Sequence, residues 1–265
     1  MENFDDNNLD NFIIKDKEFY WKRKKKCLLA WIPILLVIII IIIILVIVLQ
    51  PKLDNKIICQ YKTLKDNENV ILINIKNNID FKIIIDDSSY ENNYHIFQRA
   101  GTYIIIIEFG DKLDSLEGFF EGINNLVEAD FSKLQTNNIK SMANIFKSCS
   151  NLAKVYFDNE TPNLENLRSM FYNCDSLTTV YLNIDTSKVK QADYMFYNCS
   201  KLINIDISNF NLEQLSNSSF MFENCINLEE IRFNNNTLTR NLEDMNSMFR
   251  NCNRLKKLLI LKYLK

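Results

Sequence analysis

Five cysteines, Cys149, Cys174, Cys199, Cys225 and Cys252, recur at intervals of 25, 25, 26 and 27 residues, and their type and spacing invite a chemical reading first. Thiolates serve as metal ligands, nucleophiles or disulfide partners. Metal pairs need C-x-x-C proximity, which these intervals do not supply. A single histidine, His95, leaves no partner for a His-based metal site. The four glycines, at 101, 110, 118 and 122, form neither G-x-G-x-x-G nor a Walker loop. No D-x-D motif is present to hold a metal-bound sugar nucleotide. The expectation is therefore a protein with no catalytic residues, no cofactor and no metal, and not an enzyme. Disulfides remain as the oxidative alternative. If the cysteines stack in successive coils, their Cβ atoms lie ~4.8 Å apart against the ~3.8 Å a disulfide prefers, so bridging requires distortion. Ile123 holds the equivalent place in the first repeat, which suits a small buried hydrophobe, and a ladder of free thiols is expected.

The elements that would carry these cysteines follow from the rest of the chain. It has 265 residues, of which 47% are hydrophobic and 12% aromatic, enough to build a core, and a net charge of −2 with no basic stripe for nucleic acid. Cys27 to Leu49 is free of charge, and as a helix at ~1.5 Å per residue it outspans a ~30 Å hydrocarbon core. A transmembrane signal-anchor helix is predicted over 27–49. Seven basic residues precede it, Lys15, Lys17 and Lys22 to Lys26, so the positive-inside rule places the N-terminus in the cytoplasm. Residues 1–26, polar and without apolar periodicity, read as a disordered tail.

Beyond the anchor the chain repeats. Phe120, Phe146, Phe171, Phe196, Phe222 and Phe249 are each followed six residues later by a leucine, Leu126 to Leu255. A period of 20 to 29 with an L-x-x-[ILV]-x-[ILF] core predicts a leucine-rich solenoid over 118–265, with six repeats and one parallel strand per repeat. Apolar residues three apart precede each strand, as in Ile139, Met142 and Ile145, and predict short α or 3₁₀ turns. The fold class expected is thus an α/β solenoid. Residues 50–117, with four apolar runs between Asn, Asp and Gly clusters, read as a small β-rich juxtamembrane unit that covers the first coil. His95 is expected there as a packing or turn residue.

The strings MFYNCDSLTTVYL (170–182), MFYNCSKLINIDISNF (195–210), MFENCINLEEIRF (221–233) and MFRNCNRLKKLLI (248–260) resemble the BspA-like class of leucine-rich repeats. The resemblance covers residues 118 to about 260. It implies a surface protein of bacteria or unicellular eukaryotes that adheres to or recognises other cell-surface or matrix proteins, and it brings no catalytic residues.

Strand alternation points the second and fourth residue after each leucine outward. The predicted binding face is Lys154, Tyr156, Thr179, Tyr181, Asn204, Asp206, Glu230 and Arg232, with Glu128 and Asp130 at one end and Lys257 and Leu259 at the other. Four N-glycosylation sequons begin at Asn159, Asn198, Asn217 and Asn235. The function expected is a single-pass plasma-membrane protein whose extracellular repeats bind an extracellular protein ligand. The alternative is an endomembrane or cytosol-facing scaffold of the same fold. The array ends on an open strand edge, which predicts a homodimer through that edge or a chain that continues.

Overall fold

A computed structural model describes residues 55–75, 79–110, 113–233 and 243–259. The predicted tail, the transmembrane helix over 27–49 with its orientation, and Asn235 lie outside them. Among the described residues no helix is long and apolar enough to cross a membrane, and twelve strands make up the regular structure.

Six strands come before the coils, where sequence patterning predicts four. They are β1 (Lys56–Thr63), β2 (Glu68–Ile71), β3 (Phe81–Ile85), β4 (Ser88–Tyr90), β5 (Tyr94–Phe97) and β6 (Gly101–Phe109). The two missed strands are short, and β4 has no apolar run to betray it. Alternation sends Ile57, Cys59, Tyr61 and Thr63 of β1 and Ile105, Ile107 and Phe109 of β6 into the core. His95 of β5 packs edge-on against Tyr90 and Phe97, with ring centroids 5.0 and 4.7 Å apart, which is the packing role expected of it.

The solenoid follows. Parallel bridges join Ser115, Ser141, Asn166, Gln191 and Asn217 in succession, marking four complete turns. A fifth closes at Asp244 through residues partly outside the described set. Each coil carries one strand: β7 (Leu126–Asp130), β8 (Lys154–Asn159), β9 (Thr179–Ile184), β10 (Asn204–Ile207), β11 (Glu230–Phe233) and β12 (Lys257–Leu259). β1 pairs antiparallel with β7, so the first unit continues the sheet in the order β4-β3-β6-β1-β7-β8-β9. This closes the edge that the first coil would otherwise leave open.

The α or 3₁₀ turns expected before each strand are not found among the described residues. In their place the chain makes successive β-turns with positive φ at the third residue, the type II signature. In the first coil, Phe119 N–H donates to Leu116 O and Ile123 N–H to Phe120 O, with Gly118 at φ 61° and Gly122 at φ 74°. Later coils repeat the pair four residues apart: Asn144 and Ser148, Ser169 and Asn173, Tyr194 and Asn198, Phe220 and Asn224, Ser247 and Asn251. An apolar interval of three suits a 3₁₀ helix and a chain of β-turns equally. The left-handed residues decide for turns, and most are Gly, Asn or Ser, which tolerate that conformation or bond locally within it.

The core is a set of ladders. Phe120, Phe146, Phe171, Phe196, Phe222 and Phe249 stack with centroids 5.2–5.8 Å apart and near-parallel planes. The cysteines stack beside them and are all free. Each thiol donates to the phenylalanine carbonyl of the preceding coil, as Cys149 Sγ to Phe120 O at 2.8 Å and Cys199 Sγ to Phe171 O at 3.2 Å. Burial pushes these thiols up, Cys149 to about 12 and the half-buried Cys252 to about 11. They are held as neutral donors. Ser218, a polar residue in a buried apolar column, is satisfied by donating its hydroxyl to Asp244 O at 3.3 Å.

Candidate functional site

Parallel pairing places the predicted face in two columns. Glu128, Lys154 and Thr179 share one row across β7, β8 and β9, and Asp130, Tyr156 and Tyr181 share the other. Asn204 pairs with Glu230 and Asp206 with Arg232 on β10 and β11. Lys154, Thr179, Tyr181, Asn204, Asp206 and Arg232 are exposed, while Tyr156 and Glu230 are half-buried. The alternation forces this, since Val155, Phe157, Leu182, Ile205 and Ile231 occupy the inward positions.

Charges on the face neutralise one another locally. Lys154 Nζ lies 3.8 Å from Glu128, and Arg232 reaches both Glu230 at 2.8 Å and Asp206 at 3.6 Å. The bonds from Ser208 and the Arg232 guanidinium hold the Asp206 carboxyl below the usual carboxylate range, and Glu230 raises Arg232 further. All the partners are surface groups, so the pairs set geometry more than stability. Tyr156 and Tyr181 stand beside this network. Tyr181 is 50% exposed.

The face is not continuous, which sequence spacing could not reveal. The seven-stranded sheet ends at β9 and a second sheet begins at β10. Thr178, Thr179, Val180, Asn204, Ile205, Asp206, Glu230 and Arg232 line a groove at this break. Side chains bridge the two coils below it: Asn209 Nδ2 donates to Leu182 O at 2.7 Å, and Asn211 N–H to Thr186 Oγ1 at 2.7 Å. The break brings Thr179, Asn204, Asp206, Glu230 and Arg232 of the predicted set around one cleft, while Lys154 and Tyr156 stand on the intact sheet beyond it.

Three of the sequon asparagines lie among the described residues, and each is engaged in a hydrogen bond. Asn159 ends β8 and donates its amide to Leu134 O at 2.9 Å, and Asn198, at φ 58°, donates to Asn173 and Asp175. Asn217 accepts from Ser219. In Asn159 and Asn198 the amide that would carry a glycan is therefore a rung between coils.

A second surface went unread in the sequence. On the turn side, Tyr172 stacks on Tyr197 at 4.7 Å and Tyr194 on Phe220 at 4.7 Å, with Lys147 over Tyr172 at 5.9 Å. Arg168 pairs with the buried Asp193 at 3.1 Å, and burial still raises the Asp193 carboxyl. The rings face one another along the solenoid, so the cluster reads as inter-coil stacking. The signal that would have located it is the four-residue spacing of Gly, Asn and Ser, which aligns the turn columns.

Residues 114–237 match a family model described as Mycoplasma protein of unknown function, DUF285. The matched segment runs from just before the first bridge at Ser115 to just past β11. No curated protein and no solved structure matches the chain.

Proposed function

We propose that the chain is a membrane-anchored surface protein of the BspA-like leucine-rich repeat class, and that its strand face binds another protein in adhesion or recognition. The observation that carries this reading is the strand face itself, two outward columns of mixed chemistry that include the exposed Tyr181 and, at the cleft, the exposed Arg232. Interfaces draw much of their energy from such aromatic and arginine anchors. The family match over the coils and the charge-free stretch from Cys27 to Leu49 add support. In this reading the tail is cytoplasmic and the solenoid extracellular.

The free thiols favour a second reading, a scaffold of the same fold facing a reducing compartment. Protease treatment of intact and permeabilised cells carrying a C-terminal epitope separates the two. Loss of the epitope on intact cells supports the surface protein, and protection until permeabilisation supports the scaffold. On cells that bind a surface ligand, Tyr181→Ala and Arg232→Ala are expected to weaken adhesion by ~2 kcal/mol or more each without lowering thermal stability. Unchanged adhesion in both variants overturns the strand-face assignment.

A further inference from the structure

Among the described residues, every junction between coils but one closes on the strand side with the same rung. Ala153 N–H donates to Val127 O at 2.8 Å, Thr178 N–H to Ala153 O at 3.0 Å, Glu229 N–H to Ile203 O at 2.7 Å and Lys256 N–H to Glu229 O at 3.0 Å. Ile203 stands where these donors stand, yet its N–H makes no such bond to Thr178 O, and no backbone hydrogen bond joins β9 to β10. The turn side of the same two coils is intact. Leu167, Ser169, Phe171 and Asn173 donate to Gln191, Asp193, Met195 and Tyr197 at 2.8–2.9 Å, and Phe171 stacks on Phe196 at 5.2 Å. The coils therefore part on the strand side alone.

The parting leaves a cleft of about 290 Å³ whose walls have a defined chemistry. Thr179 N–H donates back to Ala153 O, so in the alternation of a parallel ladder the N–H and C=O of Val180 turn toward β10. Glu230, in register with Asn204, likewise donates back to Ile203 O, which sets the N–H and C=O of Asn204 toward β9. Val180 at the base is half-buried, whereas Ala129, Val155, Ile205 and Ile231 at the same position in other coils are at most 3% exposed. Both rim carboxylates, Asp206 and Glu230, pair with Arg232. One end of the break is already filled. Asn209 places its side-chain amide between the coils, donating to Leu182 O at 2.7 Å and to Asn183 Oδ1 at 3.4 Å.

From the missing rung, the facing donors and acceptors, and the place that Asn209 takes in the same break, we infer that the cleft receives the carboxamide of an asparagine or glutamine side chain presented by the partner protein. The inference rests on the strand face as the binding surface and names the group it recognises. A carboxamide carries a donor and an acceptor in one plane, as the absent peptide rung would. A carboxylate only accepts, and it would face Asp206 and Glu230. A guanidinium only donates, which leaves the N–H groups of Val180 and Asn204 unmet. An inserted strand needs its two neighbours ~9.6 Å apart, twice the strand spacing. The rings stacked at 5.2 Å and the turn-side rungs hold the coils too close for one.

Titration of the isotope-labelled full chain with propionamide, followed by nuclear magnetic resonance, tests it. The backbone amide signals of Val180 and Asn204 are expected to shift saturably with propionamide and not with propionate or ethylguanidinium. Val180→Phe, which fills the base of the cleft, is expected to weaken propionamide binding about tenfold, the worth of two neutral hydrogen bonds, and to weaken cell adhesion by a similar factor. Absence of a saturable shift, or equal shifts with propionate or ethylguanidinium, overturns the assignment, and the natural chain alone gives that result. Full adhesion by a Val180→Phe variant folded by circular dichroism, with Tyr181→Ala still weakening it, overturns the assignment and spares the strand face. Unchanged adhesion in Val180→Phe, Tyr181→Ala and Arg232→Ala overturns both readings, whatever propionamide does.

Discussion

A thiol in this protein is a hydrogen-bond donor before it is anything else. Each ladder cysteine reaches the phenylalanine carbonyl of the coil before it, from Cys149 on Phe120 to Cys252 on Phe222. Serine can make the same bond, but the site is apolar, and a thiolate there would have no water to solvate it. All five ladder thiols are raised from their ordinary value of 9.0, with burial as the main cause. Groups raised in the folded state stabilise fully below their unfolded value and lose that contribution as pH climbs toward the folded one. Alkaline unfolding is therefore expected to begin near pH 9 and deepen toward about 12, each thiol adding up to ~1.4 kcal/mol per pH unit. A Cys174→Ser, Cys199→Ser variant, followed by circular dichroism against pH, is expected to unfold less steeply over that window. An unchanged slope would mean that tyrosines alone govern it. With a thiol-specific reagent at neutral pH, Cys252 at the half-buried end is expected to label first.

At the scale of elements, a coil is stable only against its neighbours. No coil holds a helix among the described residues, and the turns satisfy half their N–H groups across the gap to the next coil. The phenylalanine ladder fills the space that this leaves. Phe171→Ala, in mid-stack with both faces covered, is expected to cost ~3–5 kcal/mol in urea denaturation. Phe249→Ala, stacked on Phe222 at the half-buried end, should cost less than half of that. Equal losses would show that the last coil is covered in solution. The turn columns hold bulky residues as well. Tyr194 and Phe220 sit at positive φ, 58° and 59°, where a large side chain costs on the order of 1–2 kcal/mol, and their mutual stacking offsets part of that strain.

For the whole molecule, the division that matters falls inside the solenoid. The first unit and three coils share one sheet from β4 to β9, and β10 to β12 form another. Core ladders cross the break, whereas the strand ladder stops at it. Native-state hydrogen exchange is expected to show β10 to β12 opening together at a lower free energy than β1, β6 and β7, which lie inside the longer sheet. Uniform protection across β9 and β10 would refute this. The same break opens the cleft lined by Thr179, Asp206 and Arg232.

Period and phase were legible from the sequence alone. Phe120 to Phe249 and the leucines six residues on specify stacked coils, because stacking buries a residue recurring at that interval in every unit, and strand alternation then names the outward residues from Lys154 to Arg232. The thiol ladder was legible for the same reason, through Ile123. Turn conformation was not, since an interval of three fits two backbones and only φ at Gly118, Asn144 and their column separates them. β4 was too short and too polar, and β5 too short, to announce itself. The split between β9 and β10 and the closure of the first coil by β1 and Asn74 were decided by the tertiary structure. Each depends on where backbone groups from distant coils meet, and residue types and intervals do not encode the direction in which an N–H points.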